Sequence, residues 1–234
     1  MKRYTQAEFD AFERDEKGVK YCPTGDYSQI ENFEGHCNFG ERCRFGDQCR
    51  FGDRCIFGKW CSFGRWCIFG EQCSFGEMCC FGEWCNFGEW CNFGEWCNFG
   101  EWCYFGTRCR FEEGCSFEKW CSFEECCSFG KRCSFGEQCS FGDRCDFEGI
   151  GSAKSGYPFA AWIGSGSRKG SKTYFFNLEQ GVYVRCGCFL GTLFEFRKKV
   201  WETHGTDGLA GEYLAIADLV ERKFGRLSTN ACGF

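Results

Sequence analysis

Apolar residues along this chain recur with a period of six. Phe occupies position 33 and every sixth position through Phe147, twenty times in register, and Cys occupies 37 and every sixth position through Cys145, nineteen times. The unit is Phe-Gly-x-x-Cys-x, as in Phe87-Gly88-Glu89-Trp90-Cys91-Asn92. An amphipathic helix repeats its apolar seam every 3.5 to 3.6 residues, so a strict six excludes it. Alternation places Cys and the Phe two positions on toward the same side of a strand, with the residue between them facing out. The pattern therefore predicts short strands that turn a corner every six residues. Gly after each Phe is expected to supply the permissive backbone for that corner.

The unit closely resembles the left-handed parallel β-helix of hexapeptide-repeat proteins, in which a large apolar and a small residue alternate inward around triangular coils. Phe fills the large position here and Cys the small one. The resemblance implies three repeats per 18-residue coil, hence about six coils over residues 33–148 and a length of about 30 Å. Long Cys-Phe-Gly arrays also look like uncharacterised proteins of gut bacteria and their phages, a likeness that carries no assigned activity. The expected fold is an all-β triangular solenoid with a short N-terminal helical cap over residues 1–32 and a small α+β domain over 149–234. Coils contact only their neighbours, so both ends need covering. Thr5-Gln6-Ala7-Glu8 reads as a capping box opening a short helix that carries Phe9 and Phe12.

The 18-residue coil sorts outward residues into columns. Before Cys, one column reads Gln48, Trp66, Trp84, Trp102, Trp120, Gln138, beside Arg50, Ile68, Asn86, Tyr104, Ser122, Ser140. A second holds Arg42, Trp60, Met78, Trp96, Gly114 and Arg132; a third, from His36 through Trp90 to Arg144, is mostly polar. The columns are placed on three faces. Stacked Trp would stabilise the coils by ring contacts. An exposed stripe of Trp66, Trp84, Trp102 and Trp120 with Ile68, Tyr104, Trp60 and Trp96 also reads as an interface, for a homo-oligomer or another protein.

Charge is uneven. Residues 150–234 carry 11 Lys/Arg and 7 Asp/Glu, a net +4, and the remaining 17 and 26 give −9 to the rest. The second residue after Phe is acidic in thirteen of nineteen repeats, which argues against duplex DNA as a ligand of the rod. The acidic edges keep the rod soluble, or alternatively mimic a nucleic acid, although Lys59, Arg65, Lys119 and Lys131 interrupt them. Met1-Lys2-Arg3-Tyr4-Thr5 has no apolar run behind it, and no segment has the length of a membrane span. Twenty-five Cys, an odd number, then read as free thiols in a reducing cytoplasm, acting as small hydrophobes rather than metal ligands. Cys80 and Cys126 face outward.

In the C-terminal part, Phe159–Ile163, Thr173–Phe176 and Val182–Cys186 read as strands, the first two joined by a Gly/Ser loop over 164–171, with a turn at Glu179-Gln180-Gly181. Thr192-Leu193-Phe194-Glu195 opens a helix ending near His204-Gly205, and a second helix covers about Leu209–Phe224 with Leu214, Ala217, Leu219 and Val220 as core. Arg168, Lys169 and Lys172 make a weak anion loop that lacks the ending of a phosphate loop. His204 has no evident carboxylate or nucleophile partner, and Cys186-Gly187-Cys188 reads as packing.

No catalytic constellation, cofactor or metal is expected. The functional expectation is a non-catalytic binding or scaffold protein, by analogy a phage or mobile-element inhibitor that occludes a host factor. The enzymatic alternative implied by the resemblance is an acyltransferase. Those enzymes generally rely on a His within the coils, and the repeat offers only His36, without the loop insertions that shape a substrate site. A purely structural rod is the remaining alternative, and ice binding is set aside because the array contains a single Thr, Thr107.

Overall fold

The computed structural model describes residues 1–136, 138–142, 144–147, 151–152, 159–163, 172–186 and 189–229. The chain forms two compact units, Met1–Glu148 and Gly149–Phe234. The first is a parallel β-solenoid of about seven turns with three stacked sheets, and strands of mostly two residues pair with the strand 18 residues on.

Exact 18-residue register determines the interior. Phe93 lies flat on Phe75 at 4.9 Å and on Phe111 at 4.8 Å, with interplanar angles of 2° and 4°. Within a coil, neighbouring Phe rings are perpendicular: Phe87 and Phe93 meet at 88°, Phe93 and Phe99 at 85°, Phe87 and Phe99 at 87°. Three columns of parallel rings thus stand mutually at right angles, each ring stacking along the axis and meeting the other columns edge to face, a favourable arrangement for the ring quadrupole. Thiols fill the space left at the corners. Cys85 Sγ, for example, donates to the Gly64 carbonyl at 3.4 Å, a contact repeated up the array.

The corner is built differently from the expectation. Glycine after Phe does not carry the left-handed conformation; the second residue after it does, with φ between 56° and 63° in seventeen non-glycine residues. All seven Trp of the array are among them. Such a conformation costs roughly 1 kcal/mol for an L-residue. It is offset by a hydrogen bond between corners, as where the Trp84 amide donates to the Glu101 carbonyl at 2.9 Å. Glycine serves close approach instead: a Cβ at Gly88 would lie 2.8 Å from the backbone of Gly70 and Glu71. Glu112, Glu118 and Glu124 take this place at all three corners of one coil, and the ring spacing beneath them stays at 4.8 Å.

Coil pairing also begins before Phe33. Lys20–Cys22 pairs in parallel with Cys37–Phe39, and Asp26–Tyr27 with Arg44–Phe45. The first offset is 17 residues (Lys20 to Cys37) rather than 18, which hides the coil from the repeat pattern. Tyr27 and Cys22 occupy inward positions in it, and both are buried. The cap then finishes the ring columns: Tyr4 stacks on Tyr27 at 4.9 Å, and Phe9 meets Phe33 edge on at 5.1 Å. Phe9 belongs to helix α1, Gln6–Asp10, whose capping box between Thr5 and Glu8 is formed. Buried Lys20 secures the end of α1 by donating from Nζ to the Phe9 carbonyl at 2.8 Å and lying 4.2 Å over the Phe9 ring.

The second unit is an antiparallel meander of Phe159–Ile163, Lys172–Leu178, Gly181–Cys186 and Phe189–Thr192, followed by α2, Leu193–His204, and α3, Gly208–Thr229. The fourth strand was not anticipated, because Gly191 interrupts a short segment that runs directly into the Thr192–Glu195 capping box. The core is Phe175, Val184, Leu193, Phe196, Val200, Ala210, Tyr213, Ala217, Val220 and Phe224. Leu219 is not part of it and is 56% exposed, since the buried stripe of α3 runs through Ala210, Tyr213, Ala217, Val220 and Phe224. Leu214 is partly buried against this core. His204, expected to be without a partner, has Nδ1 3.4 Å from Asp207 Oδ2.

A midsection ring has contacts on every side, so its loss cannot be absorbed at an end. Phe93→Ala is expected to lower stability by about 3–5 kcal/mol. The outward neighbour Asn92→Ala should change it by no more than about 0.5 kcal/mol. Urea unfolding followed by circular dichroism measures both.

Candidate interaction face

Because the left-handed corner residue precedes Cys, the Trp columns stand at corners and not on the flat faces as expected. The flat faces carry the residue between Cys and Phe, mostly Ser, Asn and Arg. Trp66, Trp84, Trp102 and Trp120 form one continuous ladder with ring centroids 4.9 to 5.0 Å apart and interplanar angles of 1° to 3°. All four remain substantially exposed, between 41% and 52%. The stacking and the exposure therefore coexist: neighbouring indoles cover one another's faces and leave a ribbon of ring edges toward solvent.

The adjoining strand column adds Ile68 and Tyr104, both exposed and placed in line by the pairing of Ile68 with Asn86 and Asn86 with Tyr104. The Tyr104 hydroxyl donates to Glu124 one coil further along, which fixes its ring. Burial, and then that carboxylate, push the Tyr104 pKa up to about 12, so the phenol stays protonated through neutral pH. The second corner is interrupted rather than continuous. Arg42 lies 5.0 Å over Trp60, the Trp60 indole N–H points at Met78 Sδ at 3.0 Å, and Gly114 leaves room beneath Trp96, whose ring an added Cβ would meet at 2.6 Å. At the third corner Arg108 sits 4.7 Å over Trp90. These guanidinium caps join residues 18 apart in one column, so they follow from the repeat period as the ladder does.

Beside the Trp corner columns run the charged ones. Lys59 pairs with Glu77 at 2.7 Å and Arg65 with Glu83 at 3.5 Å, each partner 18 residues on. Asp47 and Asp53 accept backbone N–H groups of the next coil, from Arg65 and Glu71 respectively. Part of the acidic edge is thus committed to holding coils together.

The structure does not bring the anion-loop residues into a described site. Arg168 and Lys169, and the 164–171 loop, lie outside the described residues, and Lys172 begins a strand, paired with Ile163, instead of ending a loop. Of the Cys186-Gly187-Cys188 motif only Cys186 is described, as a free thiol. One surface escaped the sequence reading: Phe194, 76% exposed, and Trp201, 60% exposed, lie seven residues apart on α2. Two turns of helix place them on one side, away from the buried Leu193, Phe196 and Val200. A helical reading of that spacing would have revealed them.

No protein-family model matches this chain, and neither a curated protein nor a solved structure matches it. Among the described residues, no helix is long and apolar enough to cross a membrane, and no group of three or more His, Cys, Asp or Glu side chains is placed to hold a metal.

The thiols of the interior are closed to solution. Contact with the thiols above and below pushes Cys97, Cys103 and Cys109 far up, together with burial, while the same kind of contact holds Cys79, Cys91 and Cys121 down. Alkylation requires a thiolate that the reagent can reach, and every buried thiol from Cys22 to Cys145 is at most 6% exposed. Among the described thiols, native protein treated with iodoacetamide at neutral pH should therefore gain adducts at Cys80, Cys126 and Cys186 while the twenty buried thiols from Cys22 to Cys145 react only after unfolding. Peptide mass spectrometry reads the sites, and rapid native modification of Cys103 would contradict a dry column.

Proposed function

We propose that this is a non-catalytic binding or scaffold protein whose principal contact surface is the Trp66–Trp120 corner, used for association with a second copy of the chain. The observation that carries the reading is the continuous, half-exposed ladder of four indoles flanked by Ile68 and Tyr104. Stacking of this kind is worth about 0.5–1.5 kcal/mol per pair. That explains part of the ladder but leaves the exposed edges, which still carry apolar surface into water. Gln48 and Gln138 end the column, giving an apolar centre with a polar rim, the arrangement expected of a protein interface. Rigid aromatic side chains also lose little entropy on binding. In the second unit, Phe194 and Trp201 offer a separate aromatic surface for another protein.

Catalysis has less support. The coil histidine His36 has its Nε2 buried without a hydrogen-bond partner. An inhibitor of a host factor would also bind a protein through a solenoid face, and a nucleic-acid mimic would do so through the acidic edges, but neither refinement is needed to account for the ladder.

The test is the solution mass of wild type against Trp84→Asn/Trp102→Asn by light scattering after size exclusion. Asn is chosen because it tolerates the left-handed backbone at these positions. The reading expects an oligomeric wild type and a folded monomeric variant, with at least a tenfold weaker self-association. An oligomer unaffected by the double substitution would remove the ladder from the interface. A wild-type monomer would rule out self-association.

A further inference from the structure

Inside the ladder, Trp84 and Trp102 each have an indole on both sides, so neither has a ring face free for a ligand. Trp66 differs. Its one indole neighbour is Trp84, and the column member on the other side is Gln48. It is 52% exposed, against 41% for Trp84 and Trp102 and 43% for Trp120, so the ladder is more open at this end than at the other. Against Trp66 lies a groove of about 490 Å³ lined by Glu31, Asn32, Gln48, Arg50, Trp66 and Ile68.

The chemistry of this lining is specific. Trp66 and Ile68 provide the apolar part of the lining, and the Trp66 face not covered by Trp84 looks along the column toward Gln48. Asn32 and Gln48 each present an amide that both donates and accepts, Glu31 accepts and Arg50 donates. One carboxylate and one guanidinium cancel, so the groove selects neither an anion nor a cation. An apolar platform ringed by a few polar groups of both kinds, with a volume in the range of small-ligand sites, suits a ring that is apolar on its face and hydroxylated around its rim. A pyranose has that form: its C–H face packs on the indole, and its equatorial hydroxyls reach the surrounding amides and charged groups. A nucleobase would also stack, but its polar atoms occupy only some of its edges, whereas polar side chains from two neighbouring coils border this groove.

We propose that the Trp66 end of the ladder is a binding site for a neutral saccharide, with Trp66 as the stacking platform and Asn32, Gln48, Glu31 and Arg50 as hydrogen-bonding groups. The site goes beyond the self-association surface and shares Trp66, Ile68 and the rim residue Gln48 with it.

The experiment is saturation-transfer NMR with tryptophan fluorescence titration of the full chain, using methyl α-mannoside, methyl β-galactoside, N-acetylglucosamine, cellobiose and chitotriose, with adenosine and inorganic phosphate as comparison probes. At least one saccharide is expected to bind saturably, with the strongest transfer to C–H protons of one ring face. Affinity should fall at least tenfold in Trp66→Asn and about threefold or more in Asn32→Ala, and remain within twofold in Trp90→Asn at a different corner. Absence of saturable binding by all five saccharides, binding unchanged in Trp66→Asn, or tighter binding of adenosine or phosphate than of any saccharide would each overturn the assignment. Asn32→Ala leaves all four indoles in place. Weakened saccharide binding at unchanged solution mass in this variant therefore reports on the groove alone, and unchanged binding counts against the groove whatever becomes of the self-association reading.

Discussion

The structure of the first unit depends on one constraint, the placement of each Phe ring directly over the Phe 18 residues away. Parallel strand pairing alone would tolerate small irregularities. A column of rings at 4.8–4.9 Å does not, because that separation matches the distance between neighbouring strands and leaves no gap. With three columns mutually perpendicular, each ring is fixed along the axis by its stacking partners and across it by edges from the other two. Two-residue strands, too short to hold register by hydrogen bonds alone, are held by their side chains.

The same constraint governs the ends and the outside. Tyr4 and Phe9 complete ring columns that would otherwise stop with an exposed face, and Lys20 ties the short α1 to the cap through backbone carbonyls. On the outside, exact register turns every surface position into a column. A tryptophan repeated at the same corner of four successive coils must therefore stack on its copies, and a carboxylate so repeated must stand above another carboxylate unless a cation such as Lys59 or Arg65 intervenes. The interior decides the geometry of a surface it does not touch.

What could be read from residues alone follows from this. Phe, Cys and the outward columns were legible because the period is six without a slip from Phe33 to Phe147. The capping boxes at Thr5 and Thr192 were legible because they are local. The start of the solenoid was not, since Cys22 and Tyr27 replace the repeat letters and the first coil is one residue short. Nor was the corner conformation: Gly is the usual marker of positive φ, yet here it answers to backbone crowding while Trp and Arg take the left-handed position. Leu219 misled for a related reason, as its apolar character says nothing of its angle around α3, and the buried stripe passes it by.

The left-handed corner also bears on why the Trp ladder is suited to recognition. A strand residue can shift its side chain with the pleat, but a corner residue at φ near 60° is held by its own amide bond to the next coil, so the indole starts from a fixed backbone. Each of the inner indoles is then held on both faces by its neighbours, leaving little rotamer freedom to lose when something binds. The roughly 1 kcal/mol cost of each left-handed Trp is met within the fold by the corner hydrogen bonds and the ring stack. What remains outside is a preorganised edge of indole rings that is closed to stacking along its length and more open at Trp66 than at Trp120. On the two readings proposed for it, such an edge would separate recognition by position: contact with extended protein surface along the ladder, and contact with a single flat ring at its end.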